Sequence, residues 1–370
     1  MKLRLSAVRR VAVRTGAAAL TAVVAADASA SGDTDTFCAP AAARTLKIGT
    51  AVHAGALTSE SGYQDRVRYG FGSVTPENAM KWALVEPRRN TYDWTSADAV
   101  VDFATAHNES VRGHTLVWGK SLPGWLTDGV AQGTIGDAQL KAILQSHITT
   151  LMKRYAGRVG VWDVVNEALA EDGTVDTGNF WYRHLGEAYI ADAFTWAHAA
   201  DPAAKLYLND FDTEPVNSKS DGLYTLVKKL RAAGVPIDGV GFQTHVTTDN
   251  TLHTLRANLR RFADLGLDVA ITELDVRMPL PPTDALLTTQ ADIYATATEA
   301  CLAVSRCVSL TVWGFSDAYS WVPAALPGWG AADLLDQGLR PKPAYAAVHA
   351  ALDDCGFTTT TTAAARHSAR

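Results

Sequence analysis

Two apolar rhythms alternate between residues 44 and 350. Short runs rich in β-branched residues, LKIGTAV, FGSVTPENAM, VRGHTLVW, VGVWDVVNEA, KLYLNDFD, GVGFQTHV, DVAITELDV and SLTVWGFSD, read as strands, several apolar enough to be buried on both faces. Between them, stretches such as AQLKAILQSHITTLMKRYAG, SDGLYTLVKKLRAAG and TLRANLRRFADLG repeat apolar residues three and four apart. They read as amphipathic helices, each ending at a glycine suited to a helix C-terminus. About eight such strand-helix units, with no linker, predict an α/β chain folded as a single (β/α)₈ TIM barrel over residues 38–356. A doubly wound sheet would need a glycine-rich phosphate turn after an early strand, and none is present. The nearest imitation, GHTLVWGKS, has one residue too many and an apolar filling.

The two ends break the pattern. Residues 1–30 combine five cations, the apolar run AAALTAVVAA and an A-x-A site at Ala28-Ser29-Ala30, which together predict a signal peptide and a secreted, extracellular protein. The Arg9-Arg10 pair leaves both the general secretory and the twin-arginine routes open. Residues 357–370, FTTTTTAAARHSAR, are Thr- and Ala-rich without apolar periodicity and read as a flexible tail.

Without its first thirty residues the chain carries 28 basic and 38 acidic side chains, a formal charge of −10. That field repels nucleic acid and anionic membranes, so neither is expected as a partner, and a neutral substrate suits it better. Cys301 and Cys307 enclose only LAVSR and close easily into a disulfide, while Cys38 and Cys355 sit near chain ends that a closed barrel brings together. The absence of HExxH and of any Cys/His ligand spacing argues against a metal, and no cofactor is expected. His107, His147, His184 and His198 fall in helical patterns and read as structural. Monomer is the default state.

Functional groups of a barrel collect at the C-terminal ends of its strands. Those ends supply Glu77, Asn78 and Lys81 (TPENAMKW), His114 and Trp118 (GHTLVW), Asn166 and Glu167 (WDVVNEA), Asn209 and Asp210 (LYLND), Gln243 and His245 (GFQTH), and Glu273 and Asp275 (ITELD). Trp313 and Trp321 follow from the last strand and its loop. Indole faces stack on pyranose rings, and amides, lysine and carboxylates satisfy the hydroxyls at the ring edges, so this inventory suits a sugar polymer. Glu167 and Glu273, on the fourth and seventh strands, face each other across the mouth as the two carboxylates of glycoside hydrolysis would. His245 between Glu273 and Asp275 would fix an ionised nucleophile; Glu167, beside Val164-Val165 and Trp118, would be the general acid, and Asn166 would bond the hydroxyl next to the reacting carbon.

At this point the chain resembles the secreted, bacterial-type endo-1,4-β-xylanases of glycoside hydrolase family 10. SVTPENAMKW, RGHTLVW, VWDVVNEA, GVGFQTHV, GLDVAITELDV, VWGFSDAYSW and LRPKPAY all stand in the family's order. The resemblance implies retaining hydrolysis of internal β-1,4 bonds in xylan and xylo-oligosaccharides, with Glu273 as nucleophile and Glu167 as acid/base. It also implies sugar contacts from Glu77, Asn78, Lys81, His114, Trp118, Asn166, Gln243, His245, Trp313 and Trp321, beside the catalytic support that the residues themselves suggest for Asn166, His245 and Asp275. Related activity on cellulose or mannan, and a non-hydrolytic polysaccharide-binding barrel, are the alternatives. Gly119, Lys120 and Ser121 replace the family's His, Ser or Asn, and Gln, which alters one side of the cleft. Phe211-Asp212 stands where Tyr-Asn is common, and Val322 where Arg is frequent.

Overall fold

The computed structural model describes residues 46–354. The proposed signal peptide, the Cys38–Cys355 pairing and the Thr/Ala-rich tail lie outside these residues.

Eight parallel strands close on themselves: β1 (Lys47–Val52), β2 (Ser73–Pro76), β3 (Ser110–Trp118), β4 (Val161–Asn166), β5 (Lys205–Asp210), β6 (Gly239–Phe242), β7 (Asp268–Pro279) and β8 (Cys307–Val312). Each pairs with its successor and β8 returns to β1, with Lys47 opposite Ser309 and Thr50 opposite Val312. One principal helix follows each strand: α1 (Ser61–Gly70), α2 (Thr95–Ala106), α3 (Asp137–Tyr155), α4 (Ala188–Ala200), α5 (Ser218–Ala232), α6 (Leu255–Ala263), α7 (Asp284–Leu302) and α8 (Pro343–Asp354). The architecture is the (β/α)₈ barrel that the apolar rhythms predict.

One helix, α5, carries both a start and a stop in its sequence. Asn217 caps α5 reciprocally with Ser220, and the chain leaves that helix through Gly234 at φ +79°. On α3, Leu140, Leu144, Ile148 and Leu151 form a buried stripe three and four residues apart. The strands are buried on both faces because the helices cover the outside while side chains fill the inside. His147 lies in that packing, stacked on Trp82 with ring centroids 3.6 Å apart, and burial pushes its pKa down to about 3, so it is a neutral core residue.

The barrel interior is not wholly apolar. Arg112 on β3 forms a buried ion pair with Asp163 on β4 and lies over the Tyr207 ring, 4.6 Å from its centroid. Gly241 on β6 makes room for this layer, since a Cβ there would stand 2.2 Å from the side-chain oxygen of Asn209 and 3.1 Å from Arg112.

Cys301 and Cys307 are joined, which ties the end of α7 to the start of β8. A loop this short constrains the unfolded chain by about 2 kcal/mol. The C301S/C307S double variant is expected to melt a few degrees lower with hydrolytic rate constants unchanged, as read by calorimetry and initial rates; equal melting temperatures would remove the disulfide from the fold's stabilising interactions.

Candidate active site

The C-terminal strand ends surround a cavity of about 670 Å³. Of the residues read into the ring from sequence, all but Asn209, Asp210 and Asp275 line it: Glu77, Asn78, Lys81, His114, Trp118, Asn166, Glu167, Gln243, His245, Glu273, Trp313 and Trp321. Asp275 is fully buried one layer back, where it supports a residue that does line the cavity.

That residue is His245. After β6 the chain turns through Thr244, at φ +67°, into a short strand, His245–Thr247, that pairs with β7 so that His245 stands opposite Asp275. Its Nδ1 lies 2.7 Å from Asp275 Oδ2 and its Nε2 3.2 Å from Glu273 Oε2. Burial disfavours the charged imidazole, but Asp275 and then Glu273 outweigh it and push the pKa up to about 10. At neutral pH an imidazolium therefore donates to both carboxylates. Trp321 Nε1 donates to the same Asp275 oxygen at 2.8 Å, which ties the tryptophan loop to this relay.

The other oxygen of Glu273 is held from the opposite side. Asn209 Nδ2 donates to Glu273 Oε1 at 2.8 Å and to Asn166 Oδ1 at 2.7 Å, and its own side-chain oxygen accepts from Thr272 at 2.7 Å. Both oxygens of Glu273 thus have fixed donors, and the carboxylate has one orientation. Sequence places Asn209 in the ring without giving it a task; the structure makes it the bridge between Asn166 and Glu273. Its neighbour Asp210, read from sequence as part of the same ring, does not line the cavity. It points behind the wall, accepting from the Leu169 and Phe211 backbone N–H groups with Lys219 3.4 Å away. Successive residues of a strand face opposite sides, and that period separates the two.

His114 is oriented by the interior ion pair. Its Nδ1 lies 3.0 Å from Asp163 Oδ2, which leaves Nε2 as the ring nitrogen available to a ligand. Although burial favours a neutral Asp163, Arg112 and then His114 hold its carboxyl below the usual range. Lys81 donates to Asn78 Oδ1 at 2.7 Å and lies 5.2 Å from the centre of the Trp118 ring. Burial lowers its pKa against the pull of Glu77, Glu273 and Glu167. The indoles complete the walls: Trp313 meets His114 edge-on at 5.1 Å and Trp321 meets His245 edge-on at 5.2 Å.

Glu167 reaches the cavity by a local irregularity. The β4–β5 register shifts between Asp163 and Val165, and Glu167 has φ +57° with its N–H bonded to Asn209 O at 2.8 Å. Its carboxyl faces Gln243 Nε2 at 3.5 Å and Lys120 Nζ at 2.7 Å.

A buried, doubly held carboxylate and a second carboxyl share one cavity walled by indoles and amides. The model of glycosyl hydrolase family 10 matches residues 38–351. The chain belongs to glycosyl hydrolase family 10. Within that family, endo-1,4-β-xylanase 2 of Aureobasidium pullulans is 45% identical over 292 residues, 76% of this chain and 80% of the relative. Endo-1,4-β-xylanase B of Thermotoga neapolitana is 40% identical over 294 residues, 79% of this chain and 84% of its own length. The crystal structure of xylanase 10B from Thermotoga petrophila RKU-1 in complex with xylobiose superposes with a TM-score of 0.82 at 40% identity, covering 86% of this chain and 98% of that one. Fungal and bacterial relatives thus match at similar identity, and the bacterial type expected from sequence is not singled out.

Five cavity residues of this family 10 hydrolase lie outside the sequence assignment: Lys120, Phe211, Asp212, Arg277 and Leu326. Arg277 lies two and four positions beyond Asp275 and Glu273, so the period of β7 itself could have pointed to it. Phe211 lines the cavity together with Glu167, and the sequence marked it, with Asp212, only as a departure from the family's Tyr-Asn pair. Among the described residues no group of three or more His, Cys, Asp and Glu side chains could hold a metal, and no helix is long and apolar enough to cross a membrane.

Proposed function

We propose that this hydrolase is a retaining endo-1,4-β-xylanase with Glu273 as nucleophile and Glu167 as general acid and base. The observation that carries the reading is the fixing of both Glu273 oxygens, by Asn209 and by His245, in the cavity that Glu167 also faces. Glu273 attacks the anomeric carbon while the glycosidic C–O bond breaks and Glu167 gives its proton to the departing oxygen. A covalent glycosyl ester with inverted configuration results. Water then attacks the same carbon, Glu167 takes its proton, the ester bond to Glu273 breaks, and the second inversion restores the β configuration. Asn166, its side-chain oxygen anchored by Asn209 and Gln243, stands beside the nucleophile to bond the neighbouring sugar hydroxyl. Glu77, Asn78, Lys81, His114, Trp118, Gln243, Trp313 and Trp321 would hold the sugars. Xylan as the polymer rests on the relatives named above, and export rests on the charge pattern and A-x-A site of residues 1–30.

Proton NMR of the anomeric region during hydrolysis of a xylo-oligosaccharide tests the stereochemistry. The β-anomer is expected first, followed by mutarotation. Initial appearance of the α-anomer would show water attacking directly and remove Glu273 from the nucleophile role. Reducing-sugar assays on xylan, cellulose and mannan test the polymer, with xylan turned over fastest; a preference for mannan would replace the substrate and leave the mechanism.

A further inference from the structure

Lys120 is the one residue of the Gly119-Lys120-Ser121 segment whose side chain enters the chemistry. Its Nζ lies 2.7 Å from Glu167 Oε2, 5.4 Å from the centre of the Trp118 ring and 5.8 Å from that of Phe211. The segment is seated by Gly119, where a Cβ would come within 2.9 Å of the Asn179 amide; Asn179 in turn caps the short helix Phe180–Leu185. Lys120 therefore occupies the boundary between the cleft and a second cavity of about 710 Å³. The two cavities share Trp118, Lys120, Glu167 and Phe211, and the second continues to Phe180 and Arg183.

This placement conflicts with the role of Glu167 proposed above. A carboxylate engaged by an ammonium accepts hydrogen bonds, whereas a general acid must donate one to the leaving oxygen. With its side chain 65% exposed, Lys120 makes a weak pair that a better-placed anion can displace. The second cavity offers such a place. It brings a second cation, Arg183, together with the aromatic side chains Phe180 and Phe211 to cover a sugar ring. Of its other carboxylates, Glu171 lies 3.3 Å from Lys219 Nζ, and Asp176 accepts from the Gly178 N–H at 2.8 Å.

We propose that Lys120, with Arg183, recognises a carboxylate-bearing branch on the polymer, a uronic acid residue, in the cavity beside Glu167. Engagement of the branch draws the ammonium away from Glu167 and frees that carboxyl to carry the proton. Lys120 is thus a specificity-determining residue that couples recognition of an acidic decoration to competence of the acid/base. The inference rests on the assignment of Glu167 as acid/base.

The test compares kcat/KM of the full chain on glucuronoxylan with that on the same polymer after chemical reduction of its uronic carboxyls to neutral alcohols. The wild type is expected to favour the acidic polymer by about five- to tenfold, the gain of one charge-assisted contact. Lys120→Met should bring the ratio to about one and speed turnover of the reduced polymer, while Lys120→Arg should retain the preference. A purely structural lysine would lower both polymers equally and leave the ratio intact. Equal wild-type rates on the two polymers, or an unchanged ratio in Lys120→Met, would overturn the inference and leave the xylanase reading standing. Turnover of neither polymer would overturn that reading and this inference with it.

Discussion

Glu273→Ala is expected to lower kcat on xylan by about 10⁵-fold or more while the barrel and its affinity for the polymer survive. The methyl group cannot attack the anomeric carbon, and no other carboxylate is held in the same orientation. The fold survives because each partner of Glu273 keeps a second bond. Asn209 Nδ2 still donates to Asn166, and His245 still meets Asp275 at 2.7 Å. Removing Glu273 relieves its repulsion with Glu77, Glu167 and Asp275 but also ends its attraction for His245 and Lys81, so the melting temperature should change by only a few degrees. Affinity electrophoresis in xylan and calorimetry read the two retained properties. Residual activity above about one per cent of wild type, after controls for contamination, would place the nucleophile elsewhere.

Why Glu273 was legible in the sequence and its holder was not follows from strand geometry. On β7 the period of two puts Glu273, Asp275 and Arg277 on one side, and an apolar run that ends in charge already signals a use for it. His245 bridging Glu273 and Asp275 was readable as a possibility from GFQTH and ITELD on neighbouring strands. Pairing of the short His245 strand with β7 gives that bridge its distances. Asn209 was harder: its task depends on Gly241 leaving space for its side chain and on Asn166 across the β4–β5 ladder, two long-range facts with no local pattern. The same period that carries Asn209 inward carries Asp210 outward, so a reading that placed both in the mouth overreached.

Glu167 shows the opposite case. Asn166 and Glu167 are consecutive, and a regular strand would send them to opposite faces. The register shift on β4 and the left-handed backbone of Glu167 bring both to the cavity. Nothing in the residue types of WDVVNEA dictates that irregularity; both residues were read into the mouth from their place at the end of the strand, and the family resemblance then implied the same roles. Lys120 falls between the cases. Its presence near the cleft was visible in the sequence, but contact with Glu167 depends on the seating of its loop against Asn179.

Glu167→Ala is expected to separate the two half-reactions. On xylan, whose leaving oxygen needs a proton, the loss should reach about 10³- to 10⁴-fold, the range of general acid catalysis. An aryl β-xylobioside with a strongly acidic phenol leaves without help, so Glu273 can still form the glycosyl ester and a burst of phenol should appear. The ester then persists, since no base remains to take a proton from water. Azide needs no base, reaches the space vacated by the carboxyl, and would find the ammonium of Lys120 there with its partner removed. Rescue should therefore be strong, and the product a β-glycosyl azide, because the anion attacks the face opposite the Glu273 ester. An α-azide would mean that no ester had formed. A variant as impaired on the activated substrate as on xylan, without a burst and without rescue, would show that Glu167 holds the sugar rather than the proton.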